Sequence, residues 1–382
     1  MRTPSGLLVV LMLVAAPLHL SAQARMTPNE VPTGSDSERI EAAIASAVSS
    51  GANSITIPRI NRLRPEGKWL IERAIVLPSD FTLRLEDCWI QLAPGTRDNL
   101  ITNSGSRTEP AAGNENIRII GEGNAVLCGG TESHWEVPGD RNGHRSIGVL
   151  LRDVRNFTIS GFKVVESQMW GISVENGCAF GRIEKIEFAN TNKYPNQDGV
   201  NVRRGCHDIT VDQITGNTGD DSVAITALRA RQPAGPGGDP RTGRIVDNGT
   251  KDDVYNITIS NIRTRVVGGH QIVRILNHDG VKIYNVSIDH VMDTSAAEEK
   301  RPRAAVKIGD VRYFAASKAA LGDTSRIMVS NVMSRAESVI QIQGTLRDAR
   351  FTNIYGYGGN KHLVEYGTEP VENVEIEAKQ WK

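Results

Sequence analysis

Three acidic residues in two short motifs are the first candidates for chemistry in this sequence. Asp198 stands between a glutamine and a glycine, and the adjacent pair Asp220 and Asp221 stands between a glycine and a serine. Asp198 and Asp220 are 22 residues apart. Carboxylates held close together push at least one pKa upward, which yields a protonated acid beside an ionised base. Hydrolysis of a glycosidic bond requires such a pair.

Two other interpretations of these acids remain open on the motifs alone. Clustered aspartate oxygens are common calcium ligands, and Asn, Asp and Gly in these combinations also form turns. A histidine in a third motif, Gly268-Gly269-His270-Gln271, favours the catalytic interpretation. An imidazole beside a carboxylate can share its proton and keep the carboxyl group in its acid form.

Short strands separated by turn residues make up most of the chain and must position these side chains. An Asn-apolar-Thr-Ile phrase recurs at spacings of about 22–48 residues, which indicates a solenoid with one phrase per coil. The predicted strands are Phe81–Leu85, Asn116–Ile120, Asn156–Ser160, His207–Val211, Asn256–Ser260, Asn285–Ile288 and Asn373–Ile376. Residues one coil apart stack at about 4.8 Å, so Asp198 and Asp220 are expected on one outer face.

A single amphipathic helix is predicted over residues 35–50, before the first strands. Ser35 and Glu38 have the spacing of a capping box, and Ile40, Ile44, Ala47 and Val48 are expected on one face. An open solenoid end needs a cap, and this helix is well placed to cover the first coil. The predicted fold is all-β, a right-handed parallel β-helix with a short N-terminal capping helix.

The N-terminal residues and the composition indicate the compartment and the class of partner. Residues 1–24 have a basic start, an apolar run and a small-x-small ending, which predicts a signal peptide and a secreted or periplasmic protein. Residues 25–382 are expected to form one domain. With 44 acidic and 44 basic residues and no later membrane-length apolar run, neither nucleic acid nor a membrane is expected as partner.

The cysteines give little further guidance on function. None of the four, Cys88, Cys128, Cys178 and Cys206, belongs to a CxxC pair, which argues against zinc. Buried thiols and one disulfide both remain open in an exported protein. Neither a cofactor nor a metal is predicted, and we expect a monomer whose partner is a polysaccharide.

The motifs together resemble glycoside hydrolase family 28, the polygalacturonase family. That family carries Asn-Thr-Asp-Gly, Gly-Asp-Asp-Cys, Gly-His-Gly and Arg-Ile-Lys in this order. This chain has Asn-Gln-Asp-Gly at 196–199, Gly-Asp-Asp-Ser at 219–222 and Gly-His-Gln at 269–271. The run from Asn156 through Trp170 to Cys178 also resembles the family. The resemblance covers residues 35–376 in architecture and 145–310 in motif detail.

The resemblance implies a role for each motif residue. Asp220 would be the general acid, Asp198 and Asp221 would activate water, and His270 would tune the acid. The reaction would invert the anomeric centre, because the family inverts. Asn196 is expected to bind the sugar, and Trp170 is either a sugar-stacking platform or a core residue.

Two departures from the family motifs bear on the substrate. Gln271 replaces the second glycine of Gly-His-Gly, where it could crowd or contact the sugar, and Lys307 alone remains of Arg-Ile-Lys. In the family that Arg and Lys bind the substrate carboxylate, a task suited to a guanidinium. The candidates to replace the arginine are Arg203, Arg204 and Arg274.

The predicted function is therefore hydrolysis of a pectin-like glycan of the galacturonan or rhamnogalacturonan type. A β-helix polysaccharide lyase or epimerase and a non-catalytic glycan-binding β-helix remain the alternatives.

Overall fold

The computed structural model describes residues 26–108, 112–131, 146–229, 231–232, 244–245, 252–312 and 318–381. It has one α-helix, α1 (Asp36–Ser49), and 3-10 turns at Pro28–Glu30 and Ser104–Arg107 within these residues. The strands, numbered in chain order, are β1 Ser54–Pro58, β2 Lys68–Ile71, β3 Ile75–Leu77, β4 Thr82–Glu86, β5 Trp89–Leu92, β6 Ile101–Asn103, β7 Asn114–Glu122, β8 Val126–Cys128, β9 Val149–Arg152, β10 Val154–Ser160, β11 Lys163–Val165, β12 Ile172–Glu175, β13 Ala179–Ala189, β14 Val200–Arg203, β15 His207–Thr218, β16 Val223–Ala227, β17 Arg231–Gln232, β18 Arg244–Ile245, β19 Val254–Val266, β20 Gln271–Asn277, β21 Ile283–Asp293, β22 Ala304–Ile308, β23 Thr324–Ser334, β24 Ser338–Ile342, β25 Leu346–Gly356, β26 His362–Tyr366 and β27 Val371–Gln380.

Two long parallel sheets run along the molecule. A 15-stranded sheet contains the order β1-β4-β7-β10-β13-β15-β19-β21-β23-β25-β27, and a 10-stranded sheet has the order β26-β24-β22-β20-β16-β14-β12-β9-β6-β3. Up to β12, two strands of the 15-stranded sheet precede each strand of the 10-stranded sheet. After β12, and apart from β17 and β18, the strands of the two sheets alternate along the chain. Apart from the antiparallel pair β17–β18, every strand pair described is parallel. The predicted right-handed parallel β-helix is confirmed.

The recurring asparagine phrase forms a bend in the 15-stranded sheet. Asn116, Asn156, Asn256 and Asn285 all have φ between 54° and 59°, a left-handed conformation that asparagine tolerates better than most residues. Their amides also stack from coil to coil, with Nδ2 of Asn285 donating to Oδ1 of Asn256 at 2.9 Å. Each asparagine therefore makes the bend and ties it to the next coil.

The interior is filled by aliphatic side chains that stack in register. In the 10-stranded sheet, Val200, Val223, Val273 and Val306 are consecutive partners, and all four are fully buried. Burying aliphatic side chains is the dominant favourable contribution to folding. This packing holds the strands of successive coils in fixed register.

Helix α1 begins one residue after its predicted N-cap. The hydroxyl of Ser35 accepts from the backbone N–H of Glu38, whose carboxylate accepts from the N–H of Ser35 at 2.8 Å, so the capping box is confirmed. Ile40 and Ala47 are buried in the main hydrophobic core. The placement of Val48 on the buried face was wrong, because Val48 is exposed and Ala43 packs inward instead.

Several sequence predictions concern residues outside the described ranges. The predicted signal peptide, residues 1–24, lies outside them. So does most of residues 229–253, a segment rich in proline and glycine for which the sequence predicts a long loop. All four cysteines are buried and free rather than paired in a disulfide. Among the described residues, no helix is long and apolar enough to cross a membrane.

Candidate active site

Three rows of side chains run along the outer face of the 10-stranded sheet, parallel to the axis of the β-helix. The acid row comprises Trp170, Asp198, Asp221 and Gln271. Backbone hydrogen bonds between neighbouring strands, such as that from the N–H of Gly199 to the carbonyl oxygen of Asp221, place these four residues on successive coils. The cation row comprises Ser173, Asn201, Ala224, Arg274 and Lys307, which are partners in strand register. The turn row comprises Asp220, His270 and Arg303, which precede β16, β20 and β22.

The structure brings the three predicted aspartates together from two neighbouring coils. Asp198 and Asp221 occupy the same row one coil apart, and Asp220 precedes Asp221 in the adjacent turn. One carboxylate oxygen of each of Asp220 and Asp221 and a ring nitrogen of His270 lie within 4.8 Å of one another. The three acids therefore share one outer face, as the coil spacing predicted.

Asp221 is the acid with the best-compensated negative charge. The side chain is buried, and Oδ1 accepts a hydrogen bond from the backbone N–H of Gln271 at 3.0 Å. Oδ2 lies 3.4 Å from a guanidinium nitrogen of Arg274. A hydrogen-bond donor and a cation on its two oxygens both stabilise the carboxylate form.

Asp198 is enclosed between its neighbours and holds a proton more tightly. Its residue is only 7% exposed, and Oδ2 accepts from the amide of Asn201 at 3.1 Å. Burial and the negative charges of Asp220 and Asp221 raise the pKa of Asp198 well above its ordinary value, and the Asn201 hydrogen bond opposes this only in part.

Asp220 combines a raised pKa with access to solvent. Burial and the charge of Asp221 raise the pKa of Asp220 to about 7, against the opposing influence of Arg274. Its side chain remains 16% exposed, and Oδ1 lies 3.1 Å from Nδ1 of His270. A carboxyl group that keeps its proton near neutral pH and can reach a ligand is suited to act as a general acid.

His270 is a neutral partner of Asp220 under ordinary conditions. Burial lowers the pKa of His270, and the positive charges of Arg303, Lys300 and Arg274 lower it further, although Asp221 opposes them. A neutral imidazole can accept a hydrogen bond from a protonated carboxyl group. The geometry is therefore consistent with the predicted pairing of His270 with the acid.

The acids and His270 also form the one cluster of potential metal ligands among the described residues. Calcium takes six to eight oxygen ligands. Here both oxygens of Asp221 already face a backbone N–H and Arg274, and the third ligand is a histidine nitrogen. This donor set is a poor fit for calcium, which counts against the second interpretation of the motifs.

Arg274 and Lys307 form a cationic pair beside the acids. They are direct partners in adjacent strands, and both approach Oδ2 of Asp310, at 3.8 Å and 2.7 Å. Burial alone would raise the pKa of Asp310, yet Lys307 and Arg274 lower it below its ordinary value. Of the three candidates for the arginine missing from Arg-Ile-Lys, Arg274 is therefore the one beside the lysine.

Trp170 lies one coil before Asp198, and Arg203, at the end of the strand that follows Asp198, reaches back over it. The guanidinium carbon of Arg203 sits 4.2 Å from the centre of the Trp170 ring, and Trp170 is only 9% exposed. Trp170 also packs against Ile147 and Leu150. The open ring face expected of a sugar-stacking platform is not present in this arrangement, because Arg203 covers it.

The two remaining predicted sugar contacts have different surroundings. Gln271 is buried, and its backbone N–H binds Asp221. Asn196 is half-buried, with φ of 56° in the turn before Asp198, so its backbone conformation helps to turn the chain there.

Sequence reasoning missed three polar residues of the site. Asn201 binds Asp198, Asp310 binds Lys307, and Arg303 lies exposed one coil after His270. Asn201 stands between Val200 and Val202 in β14, and a polar residue between two buried valines is expected to face outward, so the signal was available. Asp310 and Arg303 become site residues only once the register is known.

A groove of about 930 Å³ lies on the other sheet, away from the acids. Its lining includes Thr210, Thr258, Ser287, Asn256 and Asn285. The asparagine amides there are already used in hydrogen bonds between coils. Among the described residues, the cluster of Asp220, Asp221 and His270 lies instead on the 10-stranded sheet.

A comparison with known protein families matches the part of the chain that carries the acids and His270. The family described as "Glycosyl hydrolases family 28" matches residues 98–275, the segment that contains all three aspartates and His270. No curated protein matches the chain in sequence.

Solved structures share the fold at low sequence identity. An exopolygalacturonase from Thermotoga maritima is 18% identical over 93% of this chain and 92% of its own, with a TM-score of 0.61. A polygalacturonase from Erwinia carotovora is 14% identical over 97% of both chains, with a TM-score of 0.55. An endo-xylogalacturonan hydrolase from Aspergillus tubingensis is 15% identical over 94% of this chain and 99% of its own, with a TM-score of 0.54.

These structural likenesses establish the β-helix, and the family match extends over the motifs that contain the three aspartates and His270. The chain is a glycoside hydrolase that is similar to glycosyl hydrolases family 28 over residues 98–275.

Proposed function

We propose that this protein hydrolyses an acidic, pectin-like polysaccharide with inversion at the anomeric carbon. The observation that carries the proposal is the meeting of three aspartates on the outer face of the 10-stranded sheet, one of which, Asp220, has a pKa raised to about 7, lies beside His270 and remains partly exposed. The titles of the similar structures name polygalacturonase and xylogalacturonan hydrolase activities, which supports a pectic substrate.

In the proposed mechanism, Asp220 donates its proton to the leaving glycosidic oxygen. Asp221, whose charge is stabilised by Arg274 and the Gln271 N–H, accepts the proton of the attacking water. Asp198 holds that water together with Asp221. The proton lost by Asp220 and the proton gained by Asp221 balance over one turnover.

The acidic substrate class is supported by positive charge beside the catalytic centre. Arg274 and Lys307 lie next to the acids, and the exposed Arg303 influences the pKa values of both Asp220 and His270. Guanidinium groups suit the binding of carboxylates. The sequence pattern of residues 1–24 supports a secreted or periplasmic location for this activity, and we expect the chain to act as a monomer.

The test is release of reducing ends from homogalacturonan, rhamnogalacturonan and xylogalacturonan by the wild type and by Asp220→Asn. We expect the substitution to lower kcat about 10²–10⁴-fold, the usual contribution of a general acid. Equal rates for the two proteins would contradict the proposal. An unsaturated product absorbing in the near ultraviolet would instead indicate a lyase.

A further inference from the structure

We propose that the enzyme acts at a chain end, because the substrate face is closed one coil before the catalytic acids. The closed end consists of Trp170 and Glu175, one coil before Asp198, and of Arg203, which reaches back to both from the coil of Asp198. This inference rests on the proposed hydrolytic function and concerns the same site. It assigns to these residues the role of stopping the glycan rather than supporting it along a continuous cleft.

The closed end is held by contacts among outward-facing side chains. Arg203 lies over the ring of Trp170 at 4.2 Å and 3.8 Å from a carboxylate oxygen of Glu175. The hydroxyl of Ser173 donates to the same oxygen of Glu175 at 2.9 Å. Cation–π contacts and ion pairs strengthen when they are desolvated, and Glu175 is almost fully buried.

Outward positions around the closed end are inaccessible. Ser173 and Asn201 in the cation row are buried. Gln197, which occupies the turn position one coil before Asp220, is buried as well. By contrast, the side chains of Asp220 and His270 in the turn row are 16% and 36% exposed. The face is therefore sealed from Asp198 towards the N-terminal coils.

The face is open in the opposite direction. The side chain of His270 is 36% exposed. The corresponding turn positions of the next two coils are occupied by the exposed Arg303 and the half-buried Glu337. Arg274 and Lys307 line the same side. A glycan bound across the acids can extend only along these later coils.

The space between the acids and the closed end limits how much sugar can lie beyond the cleaved bond. Trp170 is one coil from Asp198, and one coil advances by about 4.8 Å, on the order of one sugar ring. The site therefore accommodates one terminal sugar on that side. Repeated cleavage would release single sugars from one end of the chain.

The experiment follows product sizes and viscosity on the polysaccharide that the wild type cleaves, from the earliest conversion. We expect single sugars as the sole small product and a viscosity that falls slowly with bond cleavage. A ladder of longer oligosaccharides with early loss of viscosity would overturn the inference. Absence of any reducing-end release would instead contradict the proposed hydrolysis, so the two failures are distinguishable.

Opening the closed end provides the second arm of the experiment. Arg203→Ala and, separately, Trp170→Ala should raise the yield of products longer than one sugar about tenfold, a modest change in pocket discrimination. Arg182→Ala, an exposed arginine on the other sheet, is the matched control and should leave the product pattern unchanged. An unchanged pattern in folded Arg203→Ala and Trp170→Ala proteins would overturn the assignment of these residues.

Discussion

At the scale of single residues, the site separates three chemically identical side chains by their surroundings. Asp221 faces a cation and a backbone donor, whereas Asp198 is buried beside Asp220 and Asp221 and accepts one hydrogen bond from Asn201. Asp220 lies between these extremes, beside His270 and partly in solvent. Pairs of acids whose environments push their pKa values apart are the usual basis for assigning acid and base roles.

The raised pKa of Asp220 predicts the alkaline limit of activity. A general acid must be protonated, and the pKa of Asp220 is about 7. We therefore expect kcat/KM to fall about tenfold per pH unit above this value, because the protonated fraction falls in that proportion. The measurement is the pH–rate profile on the preferred polysaccharide. An activity that stays constant from pH 6 to pH 9 would rule out Asp220 as the acid.

The same pKa predicts how Asp220→Asn changes stability with pH. Between the ordinary value of 3.8 and about 7, the folded state binds more protons at this carboxyl than the unfolded chain, so folding becomes less favourable as pH rises. Asparagine has no carboxyl group to titrate, so Asp220→Asn does not lose stability in this way as the pH rises. We expect it to match the wild type near pH 3.5 and to be more stable by roughly 2–4 kcal/mol at pH 8.

Urea unfolding at the two pH values measures this difference. Exposed Asp348→Asn, on the other sheet, is the control and should show no such dependence on pH. A wild type more stable than Asp220→Asn at pH 8 would show that the carboxylate is not strained in the fold.

At the scale of elements, the two sheets differ in how well their strands can be predicted from the sequence. The Asn-apolar-Thr-Ile phrase was readable because the bend of the 15-stranded sheet has a left-handed residue in each coil, and asparagine fills that position at Asn116, Asn156, Asn256, Asn285 and Asn373. All seven predicted strands lie in that sheet. The catalytic 10-stranded sheet has no such phrase, because its outer positions bind different partners in each coil.

The bend asparagines predict a specific loss of stability. Asn285→Ala removes an amide that donates to Asn256 and accepts from Arg326, and it places alanine at φ of 54°. We expect a cost of about 1–3 kcal/mol in the free energy of unfolding. Urea denaturation measures it, with the exposed Asn124→Ala as control. Equal midpoints for the two variants would contradict a structural role for the bend.

Register explains which site residues the sequence could and could not predict. The motif residues Asp198, Asp220, Asp221 and His270 were found because short motifs with turn residues mark them. The pairing of Arg274 with Lys307 depends on their sequence separation of 33 residues, which no local pattern encodes. The covering of Trp170 by Arg203 likewise required the side-chain positions.

At the scale of the whole molecule, the β-helix has a capped beginning. Helix α1 places Ile40, Ala43 and Ala47 against the core of the first coils. A solenoid whose terminal coil is uncovered exposes core and strand edges that can pair with other chains.

The cap predicts a change in solubility when it is loosened. Ile40→Asp buries a charge in the fully enclosed position of Ile40, which should detach α1 and cost at least about 3 kcal/mol. We expect aggregation that depends on protein concentration, measured by light scattering. Val48→Asp, at an exposed position of the same helix, is the matched control and should remain soluble. A soluble, stable Ile40→Asp protein would show that the cap is dispensable.

The division of labour among the three aspartates is tested most directly by varying the leaving group. Asp220→Asn and Asp221→Asn should both be impaired about 10²–10⁴-fold on the polysaccharide. On a nitrophenyl glycoside of the released sugar, whose leaving group needs no protonation, Asp220→Asn should recover to within about tenfold of the wild type, whereas Asp221→Asn should not. Equal deficits for both variants on both substrates would contradict the assignment of Asp220 as the proton donor.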